Sequence, residues 1–280
     1  MTITTNNCTD GSCDWVFGRL RVFPLTEGGT RVEWALHPQF ADATPHSFQL
    51  QMGQTGSNDS DDWCDVGLPV TNAFYALDDS KRVYGKFQWT HYRVVLTTPA
   101  GTYTSKPVPA MGDLDQRFWL RAKDIVRRES LMLRKESGSP GYLLKRRHTG
   151  TVCDCVDDMT GEPRKHNCEL CYGTGFVSGY YDPVECFFVE LDLQKFRNHL
   201  DDSRGTVQDG PRVYGRMIND PQVFSYDVWV DKSTDYRWMI HEIVPIVEVQ
   251  GVPLVLKAEM RLLPFTHPVY TIEITGQIPS

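Results

Sequence analysis

Residues 153–176 of this 280-residue chain read CDCVDDMTGEPRKHNCELCYGTGF and contain four of its eight cysteines. One residue separates the first two cysteines, two residues separate the second two, and twelve residues lie between the pairs. Close pairs joined by a loop of this kind bring four thiolates to one point, which is the ligand set of tetrahedral zinc. The sequence therefore predicts a structural zinc site with the ligands Cys153, Cys155, Cys168 and Cys171.

The spacing of the first pair, with a single spacer residue, requires a loop unlike that of an ordinary zinc knuckle. Gly173 and Gly175 follow the last ligand, where a tight turn needs positive φ. His166 and Cys186 are reserve ligands. Reduced thiols without metal, or redox and disulfide chemistry, are the alternatives. Since four thiolates leave no open position for water, we expect no catalytic zinc.

Hydrophobic patterning divides the chain into three segments. Residues 1–112 read as about seven short strands separated by turns, which is typical of a β-sandwich. Residues 113–184 begin with an amphipathic helix and contain the cysteine stretch. Residues 185–280 read as roughly six strands and predict a small β-barrel or sandwich. The predicted fold class is thus mainly β with a helical, zinc-stapled middle.

Charge is unevenly distributed along the chain. The net charge is −7, but residues 114–150 hold ten Lys and Arg against four Asp and Glu, which leaves −13 for the rest. Such a basic segment indicates a contact with nucleic acid, with a membrane or with a complementary protein surface, or else a solvated helix face. The arginines on the polar faces of the predicted helix are Arg117, Arg121, Arg127, Arg128 and Arg134.

Composition and motifs exclude several classes of protein. The hydrophobic fraction of 40% and the charged fraction of 23% are those of an ordinary globular protein. We expect no membrane span, because no apolar run approaches the roughly 20 residues that a span needs. The first ten residues lack a basic and an apolar region, so we expect no signal peptide. The sequence lacks a phosphate-binding loop and a nucleophile elbow, so we expect no enzyme.

The first segment resembles a fibronectin type III domain. The resemblance rests on Val32-Glu33-Trp34, on Trp63, on Tyr92-Arg93-Val94 and on the stretch 103–107. It implies a β-sandwich with Trp34 and Tyr92 in the core, serving as a spacer or docking module.

Residues 117–183 resemble a virion protein of tailed bacteriophages, of the kind found in the neck between head and tail. The resemblance rests on the basic helix, on the stretch 141–147 (GYLLKRR), on the cysteine pairs and on Gly179-Tyr180-Tyr181-Asp182-Pro183. The third segment is similar in layout to the small β-barrels of phage head-closure proteins. The resemblance implies that the four cysteines bind zinc, and that the helix and the run Lys145-Arg146-Arg147 contact neighbouring subunits or the portal side.

The function implied is that of a structural virion protein, assembled in the host cytoplasm, that forms a homo-oligomeric ring at the head–tail interface. Its expected partners are portal, adaptor or tail proteins, without a membrane. We expect the loop 197–211 either to reach into the ring lumen or to be mobile. Packaged DNA in the lumen is a further candidate partner. Ring numbers of six or twelve follow from the resemblance alone. The alternatives are a zinc-dependent nucleic-acid-binding protein that uses residues 114–150, and a virion enzyme such as a cell-wall hydrolase.

Overall fold

A computed structural model describes residues 16–24, 29–37, 40, 46–54, 56–58, 62–79, 90–112, 114–157, 159–165, 167–190 and 212–274. The chain divides into two compact units, 1–119 and 120–280. The predicted loop 197–211 lies outside the described residues. Within them, no helix is long and apolar enough to cross a membrane.

The described elements are mostly strands, which confirms the mainly β class. The strands of the first unit are β1 (Phe17–Pro24), β2 (Thr30–Leu36), β3 (Ser47–Gly53), β4 (Cys64–Thr71), β5 (Tyr75–Asp78), β6 (His91–Thr98), β7 (Gly101–Thr104) and β8 (Val108–Pro109). The strands of the second unit are β9 (Ser139–Leu144), β10 (Val184–Glu190), β11 (Arg212–Ile218), β12 (Val228–Asp231), β13 (Arg237–Val249) and β14 (Val252–Leu262). The helices are α1 (Gln116–Met132), a π-helical turn (Leu133–Ser137) that continues it, and a 3₁₀ turn (Pro268–Thr271).

The first unit contains two antiparallel sheets, in the orders β1-β2-β5 and β4-β3-β6-β7, with β8 paired to β6. Alternate residues of β6 are buried, as expected for a strand with one face on a core. Trp34 of the first sheet and Tyr92 of the second belong to one hydrophobic cluster, and both are buried as predicted. The two sheets therefore share a core.

The second unit is built around a closed antiparallel barrel with the strand order β10-β11-β14-β13-β12-β9. This confirms the barrel rather than the sandwich for the C-terminal β segment. Leu143, Phe188, Trp229 and Met260 fill its interior, where the Phe188 and Trp229 rings lie 5.3 Å apart. Strand β9 (Ser139–Leu144) has no alternating pattern that predicts a strand. It pairs with both β10 and β12 and so closes the barrel.

Helix α1 and the π-helical turn that continues it bury the row Trp119, Val126 and Leu133, whose seven-residue spacing the apolar stripe predicts. Its C-terminal half lies over the β9–β10–β11 side of the barrel. The Glu129 carboxylate accepts a hydrogen bond of 2.5 Å from the Arg216 guanidinium on β11. The following π-helical turn contacts β9 and β10.

A buried ion pair joins the end of β9 to the start of β12. The Lys145 ammonium lies 2.6 Å from the Asp227 carboxylate and also donates to the Gln222 carbonyl at 2.6 Å. Asp227 is fully buried and accepts two further bonds, from the backbone N–H groups of Arg146 (2.9 Å) and Phe224 (2.8 Å). Because every hydrogen bond of this carboxylate is made with protein, its removal would leave a buried cation uncompensated.

We therefore expect Asp227→Ala to destabilise the second unit by about 3–5 kcal/mol, the usual effect of breaking a buried pair. Chemical denaturation followed by the fluorescence of the barrel tryptophans would measure this change. The control is Glu273→Ala, which removes an exposed carboxylate in the same unit and should change stability by less than about 0.5 kcal/mol. Equal stability of the two variants would contradict the role given to Asp227.

Candidate metal centre

The four predicted cysteines lie in the connection from β9 to β10, residues 145–183, which we call the cysteine lobe. Isolated backbone bridges hold the lobe together in place of a regular sheet. Arg146 pairs with Tyr180 at its base, Val152 pairs with Phe176 in its middle, and Val156 pairs with Pro163 further out. The bridge at the base extends the β9–β10 ladder, so the lobe projects from one end of two neighbouring barrel strands.

The structure brings the four cysteine sulfurs together. Their Sγ atoms all lie within 4.8 Å of one another, with Cys153 and Cys168 3.7 Å apart and Cys155 and Cys171 3.4 Å apart. Sulfurs at the corners of a tetrahedron with metal–sulfur bonds of about 2.3 Å lie about 3.8 Å apart. A disulfide would require about 2.05 Å. The geometry therefore fits a four-coordinate metal ion such as zinc, although it does not single zinc out.

Backbone turns present the second cysteine pair. The N–H of Tyr172 donates to the Cys168 carbonyl at 2.7 Å, and the N–H of Thr174 donates to the Cys171 carbonyl at 2.9 Å. Gly173 and Gly175 take φ values of 80° and 86°, which confirms the prediction of positive φ after the last ligand.

The first pair is positioned by its own contacts. The N–H of Cys153 donates to the Gly175 carbonyl at 2.9 Å, which brings the two pairs together. The N–H of Val156 returns to the Cys153 carbonyl at 2.9 Å, and the N–H of Arg164 donates to the Cys155 carbonyl at 2.8 Å. The loop between the pairs thus folds back and forms hydrogen bonds with the turn Cys153–Cys155. These bonds hold the first pair in place, whereas an ordinary knuckle with a two-residue spacer is held by its own turn.

Electrostatics around the sulfurs favour a bound cation. The backbone N–H groups of Cys171 and Leu170 lower the pKa of the Cys168 thiol to about 7. For Cys155, burial and the neighbouring thiols raise the pKa of the thiol. At Cys153 the N–H of Cys155 favours the thiolate, but burial and the bonds to Cys168 and Cys171 outweigh it and raise the pKa. Four thiolates so close repel one another, and a divalent cation removes this repulsion.

The base of the lobe is tied to the barrel network. The Arg146 guanidinium donates to the Thr174 carbonyl at 3.3 Å, while the backbone N–H of the same residue binds Asp227. Burial raises the pKa of Tyr180, which pairs with Arg146, to about 12. The hydroxyl of this tyrosine therefore stays protonated at neutral pH.

The other predicted site residues lie elsewhere. Cys186 is buried in the barrel core on β10 and is not part of the sulfur cluster. His166 lies outside the described residues. The expectation that the whole run Lys145-Arg146-Arg147 contacts a neighbour is wrong for Lys145, because its ammonium is turned inward onto Asp227. The sequence did not predict the role of Asp227, because this residue lies 82 positions from its lysine and nothing local distinguishes it from a loop aspartate.

No protein-family model and no curated protein matches the chain. Among solved structures it is similar to one titled "Titin kinase and its flanking domains", with a TM-score of 0.27 and 10% identity. That match covers 90% of this chain and 38% of the other. A similarity this low indicates neither a fold nor a function. What the geometry itself defines is a mainly β protein with a closed barrel and a four-thiol centre.

We expect the protein purified under reducing conditions to contain about one equivalent of zinc per chain, measured by plasma emission spectroscopy. Cys171→Ser removes one ligand of the buried centre and should lower the zinc content below about half an equivalent. Cys64→Ser, which changes an exposed free thiol in the first unit, should leave it unchanged. Less than half an equivalent in the unmodified protein would argue against the site.

Gly179 provides a second test of the centre. Its φ is 40°, and a Cβ there would lie 2.6 Å from the Cys171 carbonyl oxygen, so alanine would displace the turn that carries a ligand. Gly161 also has positive φ (71°), but a Cβ there would meet no atom within 4 Å. We expect Gly179→Ala to weaken zinc binding at least about tenfold more than Gly161→Ala in competition with a chromogenic chelator. Equal affinities would show that the turn tolerates the displacement.

Proposed function

We propose that the chain is a structural virion protein of a tailed-phage neck, forming a ring that joins or closes the head–tail interface through protein–protein contacts. Zinc would act as a structural ion that stiffens the cysteine lobe. Portal, adaptor or tail proteins of the virion would be the partners. The resemblance of residues 117–183 to neck proteins is the source of this proposal, and the closed barrel of the second unit supports it by its agreement with the layout of head-closure proteins.

The observation that carries the proposal is the closed nature of the four-thiol centre. Four sulfurs complete the coordination of a tetrahedral ion, so no position is left for a reactive water. Two of the ligands, Cys153 and Cys171, are buried, and the turns around them are fixed by backbone hydrogen bonds. A metal held in this way supplies folding energy rather than chemistry, and that favours an assembly protein over a zinc enzyme.

The first unit fits the same proposal as a fibronectin type III-like module. Its division into β1-β2-β5 and β4-β3-β6-β7 is the strand order expected of that sandwich. The Tyr92 hydroxyl at the start of β6 donates to the buried Asp78 carboxylate at the end of β5, at 2.5 Å. This bond joins a strand of one sheet to a strand of the other, whereas the tyrosine corner of immunoglobulin-like sandwiches bonds to backbone a few residues upstream. The module would serve as a spacer or docking domain.

One observation favours a second candidate, a zinc-dependent nucleic-acid-binding protein. The five helix arginines named above are all exposed, as a phosphate-binding face requires. Against this, Asp124 lies on the same helix and pairs with Arg128 at 2.8 Å.

Assembly in solution tests the proposal against this alternative. We expect the zinc-loaded chain to form a closed oligomer of one defined mass, measured by light scattering and analytical ultracentrifugation, because cyclic assemblies close at a fixed number. A monomer that binds duplex DNA with steep salt dependence would instead support the nucleic-acid-binding protein. Removal of zinc by a chelator should dissociate the oligomer into smaller species. An oligomer of unchanged mass after full removal of zinc would contradict the role given to the metal.

A further inference from the structure

Strand β13 of the closed barrel extends beyond its neighbour β12. Strand β12 pairs with β13 only through Arg237–Met239, and the backbone of Ile240 still bonds to Asp227. Beyond that point, no strand in the described part of the chain pairs with the outer side of residues 241–249. We call this stretch the β13 edge. It includes two apolar residues, Val244 and Ile246, which are 48% and 43% exposed to solvent. Two exposed carboxylates, Glu242 and Glu248, flank them.

The solvent-facing side of α1 has the opposite charge. Residues 120–135, which we call the α1 face, expose Leu120 (38%) and Leu131 (46%). Around them stand the exposed cations Arg121, Arg127 and Arg128. Asp124 is the acidic exception, and it is already paired with Arg128. The α1 face is thus apolar and cationic where the β13 edge is apolar and anionic, so the two surfaces are complementary.

These two surfaces lie on opposite sides of the barrel. The helix rests over β10 and its neighbours, since Arg134 stacks 5.3 Å from the Phe187 ring on β10 and Glu129 bonds to β11. In the closed order β10-β11-β14-β13-β12-β9, β13 is three strands from β10 in either direction. One copy cannot join its own α1 face to its own β13 edge, whereas two copies can.

We infer that the β13 edge of one copy binds the α1 face of the next copy, in a head-to-tail contact. Opposed, complementary surfaces on one body generate rings when the rotation closes. The inference rests on the proposed function, because it supplies the subunit contact of the proposed ring. Glu242 and Glu248 are about 20 Å apart along an extended strand. The exposed cations Arg121 and Arg128 are about 10 Å apart along the helix axis, so they fit within the span of the two carboxylates.

The β13 edge also indicates why a helix, rather than another strand, is its partner. Pro245 lies at its centre and has no N–H to donate to a neighbouring strand. Bulges between Pro245 and Val247 and between Val247 and Glu248 break the regular ladder. Prolines and bulges are the features by which edge strands resist pairing with other strands. Side-chain contact with a helix avoids this restriction, because it does not use the strand's backbone.

A charge-exchange experiment on the full-length, zinc-loaded chain tests the contact. One variant carries Glu242→Arg with Glu248→Arg, and the other carries Arg121→Glu with Arg128→Glu. Each alone places like charges opposite one another, so we expect association to weaken on the order of a hundredfold, measured by analytical ultracentrifugation at low salt. An equimolar mixture restores both contacts with opposite charges and should assemble, in even-numbered rings. A chain with all four substitutions should assemble by itself.

The controls and contrary outcomes separate this contact from the ring itself. Asp62→Arg with Asp79→Arg reverses two exposed carboxylates of the first unit and should leave assembly unchanged. If both test variants associate as tightly as the unmodified chain, the proposed contact is wrong and the ring forms through other surfaces. Failure of the mixture to assemble would also overturn it. A monomeric unmodified chain would remove the ring, and this contact with it. Duplex DNA binding lost only in the α1 variant would assign the helix to nucleic acid instead.

Discussion

The cysteine lobe depends on one electrostatic constraint, the mutual repulsion of four thiolates held within 4.8 Å. Without a cation, burial and the neighbouring thiols raise the pKa of Cys155 and, on balance, that of Cys153, whereas backbone N–H groups lower the pKa of Cys168, so the four thiols do not all ionise together. With a divalent ion the same sulfurs become the strongest contact in a segment whose described residues are otherwise joined by isolated bridges and turn hydrogen bonds. Metal binding and folding of the lobe are therefore one process.

Much of this architecture could be predicted from local sequence patterns. The cysteine spacing predicted the ligand set, because two short-range pairs need only one loop to meet. Gly173 and Gly175 marked the turn, since few other residues accept positive φ. The seven-residue recurrence of Trp119, Val126 and Leu133 predicted the buried row of the helix. In each case the signal lies within about four helical turns or one loop.

The features that could not be predicted from the sequence depend on contacts between residues that are distant along the chain. Lys145 belongs to a basic run that is typical of a solvated or partner-binding surface. Its ammonium is buried because it pairs with Asp227, which lies 82 residues away in the sequence. Strand β9 has little alternation, because Gly141 occupies a position where a Cβ would overlap the Trp229 side chain. The open edge of β13 follows from the shortness of its neighbour β12, which pairing alone reveals.

The position of the lobe has a consequence for how related chains can vary. Leu143 and Val184 face each other in the β9–β10 ladder, and Arg146 and Tyr180 close its base. The two ends of the insertion therefore meet at one point, and the strand register on either side is independent of how many residues lie beyond it. Evolution can lengthen, shorten or replace this segment while the barrel keeps its alignment, so homologues with the same barrel and no cysteines are an expected product of divergence.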